Sequence, residues 1–122
     1  MNKNLIGHIN TQMYDVNGFI DYHKLCKLLH LPAKKLAVAI GISASSLTKY
    51  SYKEETQNKM SQVLQIWTLL TSMLESKRDA LAWLRAPNNE FKDSKSPLEV
   101  ICSGNAIAVL HFLEEYKKGS LA

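Results

Sequence analysis

From Lys53 to about Leu74 the chain repeats its apolar residues at the spacing of an α-helix: Met60, Val63, Leu64, Trp67, Leu70 and Leu74 form one stripe, and Ile66, Leu69 and Met73 widen it. One neighbour cannot cover so wide a stripe, so this helix is expected to be a central strut buried on more than one side. Alternating β-branched runs are few, and there is no internal repeat or low-complexity tract, so the fold class expected is all-α. With 122 residues and 46% hydrophobic content, the chain suits one compact domain or two small ones sharing a core. The divisions expected are residues 1–52 as an N-terminal unit, 53–76 as the central helix and 77–122 as a small C-terminal helical domain.

Shorter helices flank the strut. Ile20 to Leu31 carries Leu25, Leu28 and Leu29 at helical spacing, and Pro32 follows. Leu36, Ala37 and Ile40 mark a second helix that Gly41 should end with a left-handed cap. Ser43 offers an N-cap to a third, Ala44 to Tyr50, pinned by Leu47. Beyond the strut, Ser76 with Asp79 three residues on resembles a capping box, and Pro87 closes the helix carrying Leu81, Ala82, Trp83 and Leu84. Ser96 and Pro97 restart the chain with a cap and a first-turn proline, ahead of Leu98, Val100, Ile101 and Gly104. Asn105 should cap a last helix with Ile107, Val109, Leu110 and Leu113 inward and Gly119 at its end. Trp83, Phe91 and Leu98 are expected to gather under the loop between Pro87 and Pro97 as a satellite core.

Charge divides the chain unevenly. Residues 1–52 hold six lysines against two aspartates, while residues 53–122 hold nine basic and nine acidic side chains, so the whole net charge of +4 lies in front. That suits a polyanion-binding module, and a solvated lysine face has the same composition. No apolar run is long enough to span a membrane and Met1 to Thr11 lacks the apolar core of a signal peptide, so a cytoplasmic protein without a membrane partner is expected. Cys26 and Cys102 read as small buried hydrophobes. His8, His23, His30 and His111 have no metal-ligand spacing. The acids Glu90, Asp93 and Glu99 flank no histidine, and no glycine-rich phosphate loop occurs, so neither an enzyme nor a cofactor is expected.

The segment KKLAVAIGISASSLTKY, Lys34 to Tyr50, holds the tightest local pattern. Ala37 permits close helix crossing, Gly41 makes the turn, Ile42 plugs it, Ser43 caps the second helix and Leu47 anchors it. An ordinary αα-hairpin shares these features, but they also make a DNA-reading helix-turn-helix. The segment closely resembles the Xre-type helix-turn-helix family. Its reading face would comprise Ala44, Ser45, Ser46, Thr48 and Lys49, with Ser43 and Tyr50 at the helix ends and Lys34 and Lys35 on backbone phosphate. That face has no Arg, Asn or Gln.

Ala80 to Ala122 resembles the C-terminal toxin-binding domain of the Xre/MbcA/ParS antitoxin family. The matching positions are Trp83, Leu84, Pro87, Asn88, Phe91, Pro97, Leu98, Gly104, Val109, Leu113 and Gly119; within Asn89 to Lys95 a lysine stands where the family often has glycine. The resemblance implies a type II antitoxin that neutralises a RES-domain, NAD-degrading toxin by covering its active site. It also implies repression of its own operon through operator DNA, and a homodimer within the toxin-antitoxin complex. By position, the toxin contacts would be Trp83, Arg85, Pro87, Phe91, Pro97, Leu98 and the tail Tyr116, Lys117, Lys118, Gly119, Ser120, Leu121 and Ala122. The tail is expected to act by steric plugging and through its terminal carboxylate. The alternative is a stand-alone helix-turn-helix regulator whose C-terminal helices serve dimerisation.

Overall fold

The computed structural model describes residues 12–121, with side chains through Gly119. Among the described residues seven α-helices follow one another: α1 (Tyr22–Leu29), α2 (Ala33–Ala39), α3 (Ala44–Tyr50), α4 (Glu54–Met73), α5 (Lys77–Arg85), α6 (Pro97–Cys102) and α7 (Ala106–Leu121). A 3-10 turn at Lys92–Ser94 lies between α5 and α6, and one isolated bridge pairs Tyr14 with Ile20. The all-α expectation is met.

The central strut is α4. Met60, Val63, Leu64, Ile66, Trp67 and Leu70 are all buried, so the widened stripe is covered from several directions. Its most extensive partner is α7, and α5 crosses it as well. The short α6 packs on α5 and α7 and also against α2. One continuous core therefore runs from Met13 and Ile20 through Leu36, Leu47 and Trp67 to Leu113. The N-terminal and C-terminal segments share it.

The helix ends show why the sequence stops where it does. Side-chain oxygens of Asp21, Ser43, Ser76 and Ser96 each accept a backbone N–H of the first turn of α1, α3, α5 and α6. At α6 the cap is reciprocal: Glu99 N donates to Ser96 Oγ at 3.1 Å and Ser96 N to Glu99 Oε1 at 2.9 Å. The Ser96 N–H at the carboxylate, with the Ser96 hydroxyl beside it, holds the Glu99 carboxyl below its ordinary range. Three helices end in the same double hydrogen bond onto a left-handed residue: α1 at His30, α2 at Gly41 and α6 at Gly104, with φ of 55°, 78° and 94°. Two of those residues are the glycines the sequence pointed to; the third is a histidine.

Some expectations change. Asp21 and His30 cut the first helix to Tyr22–Leu29, shorter at each end than Ile20 to Leu31. Ile107 is 40% exposed rather than inward; Ala106, Val109, Leu110 and Leu113 make the buried face of α7. Gly119 does not end α7, which continues to Leu121 with no left-handed residue at 119. A glycine within a helix costs only about 1 kcal/mol, too little by itself to stop one that is already nucleated.

The chain before α1 is tied down by side chains. Asp15 Oδ1 accepts Asn17 N at 2.9 Å and Phe19 N at 3.0 Å, closing a polar turn. The Gln57 carboxamide, in α4, accepts Ile20 N at 2.8 Å and donates to Ile20 O at 3.1 Å and Ser51 O at 2.8 Å. One side chain thus joins the entry to α1, the exit of α3 and the start of α4.

Candidate functional site

Two surfaces carry the residues that the sequence singled out. The first is the α2–α3 corner. Gly41 N donates to Val38 O at 3.1 Å and Ile42 N to Ala37 O at 3.0 Å, which turns the chain at once from α2 into α3. Leu36 and Leu47, both fully buried, fix the angle between the helices. Ala44, Ser45, Thr48, Lys49 and Tyr50 are left exposed, with Ser46 half-buried beside them. Ser43 Oγ accepts Ser46 N at 3.1 Å, donates to Ser46 Oγ at 3.0 Å and lies 3.2 Å from Ser45 Oγ, while Thr48 Oγ1 donates to Ala44 O at 3.1 Å. Lys53 adds a cation 4.4 Å from the Tyr50 ring centroid. Lys34 is exposed at the start of α2. Lys35 turns elsewhere: it lines a groove of roughly 330 Å³ with His30, Arg85, Glu99 and Cys102, facing α6.

The second surface is aromatic and lies around Phe112 of α7. Its ring centroid is 6.2 Å from Trp83 in a stacked pair, 5.5 Å from Phe91 edge to face, and 6.2 Å from Tyr116. Beside them Leu70, Met73, Leu74 and Leu113 complete a groove of roughly 220 Å³ with no charged side chain in its lining. Phe91 is delivered by a rigid loop. Asn88 N donates to Lys95 O at 3.2 Å, Glu90 N to Asn88 Oδ1 at 2.9 Å and Ser94 Oγ to Asn89 Oδ1 at 2.9 Å. Asp93 and Ser94 both take left-handed φ there, 60° and 53°, a strain of order 1 kcal/mol each that those hydrogen bonds offset.

The predicted C-terminal contacts therefore divide. Trp83, Phe91 and Tyr116 meet on one surface, whereas Leu98 lines the groove facing α1 and α2, so the expected satellite core forms around Phe112 without it. Pro97 is buried in the first turn of α6, and Pro87 is exposed just after α5. Arg85 reaches away from the aromatic surface: its Nη2 donates to Leu29 O at 2.9 Å and His30 O at 3.4 Å. Lys117 and Gly119 are exposed on α7, and Lys118 pairs with Glu115 at 3.8 Å. The side chains of Ser120 and Leu121 and the whole of Ala122 lie outside the described residues. Sequence reasoning missed Phe112, the hub of the cluster; its place four residues before Tyr116, on the same helix face, was the available signal.

Burial pushes the Cys102 thiol above its ordinary value, with Lys35 acting against that shift and Glu99 with it, and burial likewise raises Cys26. Among the described residues no group of three or more His, Cys, Asp or Glu is placed to hold a metal, and no helix is long and apolar enough to cross a membrane. Comparison of the chain with protein-family models, curated proteins and solved structures gave no match.

Proposed function

We propose that this protein is an antitoxin whose aromatic C-terminal surface and α7 tail bind and neutralise a RES-domain, NAD-degrading toxin, and whose α2–α3 corner binds operator DNA to repress the operon encoding both. The observation that carries the reading is the meeting of Trp83, Phe91 and Tyr116, distant in sequence and all within the segment that resembles the antitoxin domain, around Phe112. An uncharged aromatic groove of this kind suits a protein partner better than a polar metabolite. The corner presents small hydroxyls that permit close approach to bases, with Lys34, Lys49 and Lys53 available to phosphate.

The test is cellular NAD after induction of the neighbouring reading frame, with this protein co-expressed, absent or truncated after Glu115. NAD should collapse when that frame is expressed alone, recover with the full chain and stay low with the truncation. Unchanged NAD in every case removes the antitoxin reading. Dimers that dissociate on Phe112→Ala would then favour the runner-up, a regulator that uses the aromatic surface for self-association.

A further inference from the structure

The three left-handed helix ends differ in one respect. At α2 and α6 the left-handed residue is glycine, and no side chain from elsewhere is needed. At α1 it is His30, which pays a steric cost that glycine avoids, and here the Arg85 guanidinium arrives from a distant helix and donates to the carbonyl oxygens of Leu29 and His30. The turn so held leads through Pro32 directly into α2, the first helix of the corner. Arg85 sits two residues after Trp83 on α5. Residues two apart lie on nearly opposite helix faces. One face of α5 therefore presents Trp83 to the aromatic surface, while the other is fastened to the chain reversal that aims α2 and α3. Below this fastening α2 packs on α6, and Lys35 and Cys102 share the groove there with Arg85.

We infer that Arg85 is a positioning residue for DNA binding: from α5 it locks the α1–α2 reversal and so fixes the orientation of the α2–α3 corner. This rests on the DNA-binding reading above. In this role Arg85 acts through the reversal it holds and not as a DNA contact.

Cys102 supplies a native reporter, because the groove it lines opens when the reversal lets go. In a Cys26→Ala background it is the sole thiol of the chain's two. Its rate of reaction with an aromatic disulfide reagent should rise about tenfold on Arg85→Gln, the loss expected for charge-assisted hydrogen bonds. The rise should be nearly independent of low urea, as for a local opening rather than global unfolding. Arg85→Lys, which keeps the charge on a shorter side chain without the planar guanidinium whose Nη2 reaches both carbonyls, should fall between. Binding to a duplex from immediately upstream of the protein's own reading frame should weaken by about tenfold in Arg85→Gln, with the slope of log affinity against log salt unchanged.

Unaltered Cys102 labelling in both variants overturns the inference. So does faster labelling with unaltered duplex affinity, which would leave Arg85 a helix cap and nothing more. A salt slope reduced by about 0.9 would make Arg85 a direct phosphate contact and equally overturn it. Failure of the underlying DNA reading is recognised separately: the unsubstituted protein then shows no salt-dependent duplex binding at all, and this inference falls with it.

Discussion

Along α3 the exposed side chains are alanine, serine, threonine and lysine as far as Tyr50 at its end, and the rigidity lies beneath them in Leu36, Leu47 and a glycine turn. Around Phe112 the order is reversed: the large rings stand half-exposed at the surface, over a strained loop and the end of the central strut. A surface meant to approach a grooved polymer has to be small and flat, so its precision must come from the backbone and the core below. One meant to grip a folded partner needs apolar area, and there the side chains themselves are the surface.

That contrast can be broken first at Leu47. Leu47→Ala should cost about 2–5 kcal/mol in urea unfolding, because a fully buried leucine leaves a cavity. Phe112→Ala removes more atoms but from a half-exposed site, so its cost should be smaller, about 1–2 kcal/mol, while it abolishes partner binding in pull-down. Equal losses of stability at the two positions would erase the distinction between a surface supported from below and one made of its own side chains.

The two glycines sharpen it further. Gly41→Ala should destabilise by about 1–2 kcal/mol through its φ of 78°, since no neighbouring atom lies within 4 Å of the added methyl. Gly119→Ala should do the opposite and stabilise the end of α7 by about 0.5–1 kcal/mol, read as helicity and melting temperature. A smaller effect belongs to the α6 capping box, which supports α2 from behind. The Glu99 carboxyl is held below its unfolded value, so its contribution is complete above the ordinary carboxylate range and disappears as pH falls through the lower folded value. Glu99→Gln should flatten that acid limb of the stability curve. An unchanged limb would show that the box is not what titrates.

The helices themselves were legible because their signals are local: apolar spacing, Ser43, Ser76 and Ser96 as caps, Gly41 and Gly104 as stops, Pro97 as a start. His30 was not, since nothing in its neighbourhood announces a left-handed residue; its support comes from Arg85, fifty-five residues away. Arg85 itself fell within a segment whose resemblance suggested a partner contact, and only the tertiary arrangement turns it toward α1. Gly119 misled in the other direction, as a stop signal whose cost is too small to end an established helix. The aromatic surface was half visible: Trp83, Phe91 and Tyr116 could be named, whereas Phe112 was hidden by its position beside the buried stripe of α7 rather than on it.

The packing of α2 on α6 has a consequence for how the protein is made. A ribosome delivers residues 33–39 long before residues 97–102, so the corner leaves the exit tunnel with the face that α6 will cover still bare. Front-first synthesis cannot complete the front, and a nascent chain stalled anywhere before α6 presents an apolar helix to chaperones and to other copies of itself.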